Sequence, residues 1–189
     1  MIGSMKHLKT ELDENARLGS ASVGFEALFQ EHWTSVYRIL RRLVGDPAEA
    51  EDLALEAFLR LYRHNQTKPQ VQNTAGWLYQ VATRLGLNSI RDWKRREQYE
   101  LQAGRWALEE PDQLSPAELL AKEEERRLVR MVLSSMNERR AQLLILRYSG
   151  LSYKEIASTL DLAPASIGPL LVRAEREFKK LYRSLAQEE

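Results

Sequence analysis

The sequence predicts an all-α fold, two small helical domains joined by a flexible linker, with the C-terminal domain a helix-turn-helix. Three observations lead there. Apolar residues recur at three- and four-residue spacing, and the two-residue alternation of strands is missing. Capping signals stand at the starts of these runs, in Asp46-Pro47-Ala48-Glu49, Ser115-Pro116-Ala117-Glu118 and Ser152-Tyr153-Lys154-Glu155. A mixed, acid-bearing stretch over residues 101–114 separates two such sets of helices.

The elements follow in order. Residues 1–22 are polar without a clear period and read as a mobile tail. The first domain, 23–100, opens with a helix carrying Phe25, Leu28, Phe29, His32, Val36, Leu40 and Leu43 on one face and stopping at Gly45. Asp46 then caps a second helix, with Pro47 at its first position and Glu49 placed to complete a capping box. The acids Asp46, Glu49, Glu51, Asp52 and Glu56 suit the positive end of its dipole. This helix has two apolar stripes. Ala50, Leu53, Ala54, Ala57 and Leu61 form one, and Leu55, Phe58, Leu59 and Tyr62 the other. The second needs a third helix or an external partner.

A polar connection, His64 to Thr74, leads into a long helix whose core stripe is Leu78, Val81, Ala82 and Leu85. The second domain, 115–189, begins with a helix to about Met136 that turns Leu128, Met131 and Val132 inward. Asn137 can cap the next, through Leu143, Leu144, Leu146 and Tyr148, which Gly150 ends. A short helix through Ile156, Ala157 and Leu160 breaks at Asp161-Leu162. The last helix holds Leu170, Leu171, Ala174, Phe178 and Leu181 on its inner side. Two helices joined by so short a turn match a helix-turn-helix.

Composition bounds the function. The 189 residues are 43% hydrophobic and 29% charged, ordinary for a folded protein, and the net charge is only +1. Any nucleic-acid signal therefore lies in how charge is distributed. With no cysteine, disulfides, thiolate metal sites and thiol catalysis are excluded, and a cytoplasmic location is expected. The longest apolar run, near Leu143 to Leu146, is too short for membrane insertion, and the first residues lack a secretory-signal pattern. A di-iron bundle needs glutamates three residues before histidines, but His7, His32 and His64 follow Ser4, Phe29 and Leu61 at that spacing. No glycine-rich phosphate loop and no nucleophile–base pair stands out. The reading is therefore no enzyme, no cofactor and no metal.

The chemistry concentrates between Trp77 and Arg96, WLYQVATRLGLNSIRDWKRR. Beside the core stripe, Trp77, Arg84, Asn88, Arg91 and Arg95 share a second helical face, with Lys94 and Arg96 close by. Cations suit phosphates, a carboxamide suits a base edge, and an aromatic ring suits an unstacked base. A solvated basic helix with one half-buried Trp is the plainer alternative.

Three segments, FEALFQEHWTSVYRILRRLVGDPAEAEDLALEAFLRLYR, NTAGWLYQVATRLGLNSIRDWKRR and LLILRYSGLSYKEIASTLDL, occur in an order and spacing that resemble an extracytoplasmic-function sigma factor of bacterial RNA polymerase. The resemblance implies that residues 23–100 are region 2, binding the polymerase clamp and the promoter's minus-ten element. It implies that 115–189 are region 4, binding the polymerase flap and the minus-thirty-five element. The clamp contact would fall on Asp52, Leu55, Glu56, Phe58, Leu59 and Tyr62. The melted minus-ten strand would meet Trp77, Arg84, Asn88, Arg91, Lys94, Arg95 and Arg96, with a pocket for a turned-out base in the loop from Asn65 to Thr74. Minus-thirty-five contacts would come from Tyr153, Lys154, Ser166, Arg173 and Arg176. Core RNA polymerase, promoter DNA and an anti-sigma factor are the implied partners.

The chain departs from the family pattern at three places. Leu55 stands where glutamine is usual, and Arg84 where asparagine is frequent. In the stretch Pro164 to Leu171, Gly168 and Leu170 occupy positions that are often Lys and Arg. A helix starting at Pro164 would lose a hydrogen bond at Pro169, a cost of about 3 kcal/mol, so a start at Ser166 or a kink is expected. This implies weak or unconventional minus-thirty-five recognition, with an activator or partner protein to compensate. Two rivals remain: a helix-turn-helix regulator with a helical sensor domain, and a sigma-like adaptor that binds polymerase without initiating.

Overall fold

The computed structural model describes residues 24–67, 71–102 and 116–187. Among them are seven helices: α1 (24–44), α2 (Pro47–Thr67), α3 (Thr74–Gln102), α4 (Pro116–Ser135), α5 (Glu138–Tyr148), α6 (Tyr153–Leu160) and α7 (Pro164–Leu185). The chain divides into two units, Met1–Ser35 and Val36–Glu189. In the described part of the first, Phe29 and Trp33 stack one helical turn apart with ring centroids at 4.8 Å.

Within the second unit, local signals set most helix ends. Gly45 closes α1 with φ +84°, and its N–H donates to Arg41 O at 3.2 Å, the bond of a left-handed helix cap. The Asp46 carboxylate accepts from Glu49 N at 2.7 Å and starts α2. Glu49 in turn accepts from Ser89 Oγ and ties α2 to α3. Asn137 caps α5 by accepting from Arg139 N at 3.1 Å. Ser152 and Glu155 form a complete capping box on α6, and the hydrogen bonds from Ser152 hold the Glu155 carboxyl below its ordinary pKa. The Ser115 capping box falls outside the described residues.

The core of the first half comes from Val36, Ile39, Leu40 and Leu43 of α1, the Ala50-Ala54-Ala57-Leu61 stripe of α2, and Leu78, Ala82, Leu87 and Ile90 of α3, all buried. Gly86 lets α3 approach α1 closely, since a Cβ there would lie 2.5 Å from Leu43 Cδ1. In the second half, Leu128 and Val132 of α4, Leu143 and Leu146 of α5, Ile156 and Leu160 of α6, and Ile167, Leu171 and Ala174 of α7 are buried together. Leu170, Phe178 and Leu181 are only half-buried.

One expectation changes. Helix α7 begins at Pro164, not Ser166, and carries Pro169 as an internal residue. Pro164 brings a preset φ to the first helical position, and Ser166 donates both its N–H (2.9 Å) and its hydroxyl (2.7 Å) to Ala163 O. Gly168 has no Cβ to clash with the Pro169 ring, which makes a helical residue before proline less costly. The two halves pack against one another through α3, which touches α4, α5 and α6. Helix α3 runs on through Gln102, and the rest of the expected linker falls outside the described residues.

Candidate nucleic-acid interface and partner surface

Helix α3 buries Leu78, Ala82 and Leu85 and turns Arg84 and Asn88 to the surface, because its apolar residues keep helical spacing. Asn88, Arg91, Lys94 and Arg95 line one open cleft of about 660 Å³, together with Asp92 and Ser134 of α4. Arg95 is paired with Asp92 on its own helix, and Arg96 is exposed. Trp77 lies outside this cleft, half-buried, its ring centroid 5.5 Å from that of His64. The cleft thus collects four of the seven residues expected on this face.

The second half supplies partners that local sequence patterns do not reveal. Arg84 Nε is 3.6 Å and Arg91 Nη1 3.5 Å from the Glu138 carboxylate at the start of α5. Lys94 Nζ donates to Ser135 Oγ at 2.8 Å. Asn73, at the head of α3, donates to Ser158 Oγ of α6 at 2.7 Å. Arg127 Nε donates to Glu97 at 2.6 Å. Arg130 Nη1 donates to Val44 O at 3.1 Å, with its guanidinium 5.0 Å from the Trp93 ring centre. Burial pushes the Arg130 guanidinium below its ordinary pKa. These residues lie 30 to 86 positions apart in the chain, beyond the reach of any helical period.

On α2 the second apolar stripe is split. Leu55, Leu59 and Tyr62 are 47%, 40% and 40% exposed, whereas Phe58 is 2% exposed and belongs to the core. Phe58 is therefore removed from the expected partner surface; its large ring fills the space between helices instead of facing out. Asp52 is exposed beside the ridge, and Glu56 is tied to Arg60 at 2.7 Å.

The helix-turn-helix residues lie on α6 and α7. Tyr153 is exposed at the start of α6, under the Arg147 guanidinium at 5.3 Å. Lys154 and Arg173 are exposed, and the Ser166 hydroxyl is used on Ala163 O. Arg176 gathers instead with Lys179, Lys180 and Arg183 further along α7. Gly168 leaves the first turns of α7 without a side chain where it faces the Tyr153 ring.

The Sigma-70 region 2 family matches residues 28–97, and Sigma-70, region 4 matches residues 126–178. The ECF RNA polymerase sigma factor SigL of Mycobacterium tuberculosis is 30% identical over 162 residues, covering 84% of this chain and 89% of SigL. The chain belongs to the ECF sigma factors. These are transcription initiation factors, not enzymes. The ECF RNA polymerase sigma factor SigE of Mycolicibacterium smegmatis is also 30% identical, over 85% of this chain, which spans 62% of that longer relative. A solved structure of the sigma factor RpoE in complex with the anti-sigma factor NepR from Bartonella quintana is 18% identical, with a TM-score of 0.46, covering 85% of this chain and 97% of that one. Region 2 thus takes in α2 and nearly all of α1 and α3, and region 4 takes in α5, α6 and parts of α4 and α7. Among the described residues, no helix of this sigma factor is long and apolar enough to cross a membrane.

Proposed function

We propose that this sigma factor binds core RNA polymerase in the cytoplasm, directs it to promoters and holds the melted minus-ten strand. The observation that carries this is the placement of two surfaces in region 2. An exposed apolar ridge, Leu55, Leu59 and Tyr62, flanked by Asp52 and Glu56, serves the polymerase clamp. The cleft of Asn88, Arg91, Lys94 and Arg95, with Arg84, Arg96 and Trp77 along the same helix, serves the strand. Cations hold phosphates, and Asn88 reads a base edge, a contact worth about 1–3 kcal/mol of discrimination. Base extrusion costs a few kcal/mol, offset by stacking and edge contacts, so melting requires no covalent chemistry from this chain.

Upstream recognition is weak in this reading. Tyr153, Lys154, Ser166, Arg173 and Arg176 are spread over two helices, and the start of α7 offers Pro164, Gly168 and Pro169 in place of long polar side chains. Phosphate contact suits the cations further along α7. An anti-sigma protein is the expected regulator, the class of partner that the family resemblance implies.

The test is run-off transcription with reconstituted holoenzyme, with gel filtration to follow complex formation. Leu55→Asp combined with Leu59→Asp should abolish comigration with core polymerase while the chain stays folded. Asn88→Ala with Arg91→Ala should keep comigration and lose initiation. Initiation at the native level by either variant overturns the assignment of that surface.

A further inference from the structure

We infer that a cavity where the end of α1 meets α4, α5 and α7 binds a small amphipathic anion, one with an apolar body and a phosphate head. The cavity shares no residue with the strand-reading cleft of α3 or with the Leu55 ridge of α2.

It has two chambers of different chemistry. The first, about 500 Å³, is walled by Leu144, Ile145 and Tyr148 of α5 and by Phe178 of α7. Helix α5 is buried nearly all the way round: Leu143 and Leu146 serve the helix-turn-helix core, and this leaves Leu144 and Ile145 to line the chamber. The second, about 530 Å³, gathers Arg41 and Arg42 of α1 with Arg126 and Arg130 of α4. Arg42, Leu43, Val129 and Leu133 line both, so the two spaces adjoin across these residues. Each has the volume of an ordinary small-molecule site.

Polar atoms in the walls lack partners. Ser149 lines the first chamber, is 9% exposed, and its buried hydroxyl makes no hydrogen bond among the described residues. In the second chamber Arg130 Nε is also buried without an acceptor. Buried groups left unpaired are costly, and a ligand atom supplies what these two lack.

Charge sets the head of the ligand. Four guanidiniums line the second chamber against one carboxylate, Glu125. Three of the four are held by the protein. Arg130 donates to Val44 O and lies over the Trp93 ring, Arg126 pairs with Glu123, and Arg42 donates to Tyr148 O. Groups already fixed lose little freedom on binding, and guanidiniums meet phosphate through paired N–H donors. In the first chamber Glu175 and Lys179 sit one turn apart on α7, so their charges offset. The apolar chamber alone would take any apolar group; the arginines beside it demand a negative end. A molecule running from Phe178 past Val129 to Arg126 uses both, and joining two weak contacts in one ligand strengthens each.

The test is isothermal titration calorimetry of the full chain with monomeric octyl phosphate at about 0.15 M salt, where exposed charges are largely screened. Octyl glucoside offers the body without the charge, and inorganic phosphate the charge without the body. Octyl phosphate should bind saturably, at least tenfold tighter than either. Arg41→Ala with Arg126→Ala should weaken it at least tenfold and change octyl glucoside less than twofold. Val129→Trp puts a ring between the chambers and should also weaken it at least tenfold. Lys180→Ala with Arg183→Ala, which removes two α7 cations outside both chambers, should change it less than twofold.

The inference is overturned if octyl phosphate binds no tighter than the stronger of the two half-probes, if the Arg41 and Arg126 pair matters no more than the α7 pair, or if Val129→Trp binds like the native chain. Should Val129→Trp fail to fold, the comparison of the two cation pairs decides. Vesicles containing phosphatidic acid distinguish a lipid surface from a dissolved molecule. Cosedimentation that survives Val129→Trp, with no heat from octyl phosphate, would put a membrane headgroup on the arginines and overturn the cavity as the site.

Discussion

Gly45→Ala tests the joint where the end of α1 meets Arg130. The backbone there has φ +84°, and an L side chain in that region costs about 1–2 kcal/mol. A second effect follows from space, because a Cβ on residue 45 would lie 2.7 Å from Arg130 Nη1. The guanidinium tip is the mobile end of a long side chain, so it moves before the backbone does. Moving it disturbs the 3.1 Å bond to Val44 O and the contact with Trp93. A hydrogen bond from a charged donor is worth about 1.5–3 kcal/mol and a partly exposed cation–π contact about 0.5–1. If about half of this is recovered by a shifted guanidinium, the lost part is about 1–2 kcal/mol.

Gly45→Ala should therefore destabilise the native chain by about 2–4 kcal/mol, and a chain already carrying Arg130→Ala by only about 1–2. Urea unfolding of the four proteins of this cycle, followed by far-UV circular dichroism at one pH and salt concentration, measures the difference. A coupling smaller than about 0.5 kcal/mol, the level seen for independent sites, would refute the argument that Arg130 and the α1 terminus form one unit.

Three further outcomes follow from single contacts. Glu177 is held below its ordinary pKa of 4.5, chiefly by the hydrogen bond from Arg140. Because its folded-state value is the lower one, its stabilisation is present above pH 4.5 and is lost as pH falls through that folded value. Acid unfolding curves of the native chain and Arg140→Ala should thus be furthest apart above pH 4.5 and converge below it. Ser152→Ala removes the cap from α6 and should cost about 0.5–2 kcal/mol in urea unfolding. Pro169→Ala restores a donor for Ala165 O inside α7 and should raise stability by about 1–3 kcal/mol, less than the full proline cost because Ala165 is exposed and its carbonyl can bind water. A lowered melting temperature for Pro169→Ala would show instead that the ring packs to advantage.

Features that depend on neighbours in the chain were legible before any coordinates. The glycine stop at Gly45, the caps at Asp46, Asn137 and Ser152, and the break at Asp161, which adopts a left-handed φ of 53°, each involve a few adjacent residues. The α7 start is not legible locally because two rules compete: Pro164 favours a first helical position, Pro169 opposes an interior one, and Gly168 eases the conflict. The burial of Phe58 is hidden from the sequence for another reason. The residue lies at the border of two stripes on α2, and periodicity alone does not say how wide the buried arc is.

The candidate strand-binding face was legible as a row of residues, because α3 is regular and a helix converts spacing into direction. Its surroundings were not. Nothing near residue 84 or 91 announces Glu138, and nothing near Val44 announces Arg130. The amino-acid order by itself determined that the chain is helical, the caps at Asp46, Asn137 and Ser152, the family, and the row of residues along α3. Only the tertiary packing decided which of those faces stay open, because burial and charge pairing are set by groups brought together from distant parts of the chain.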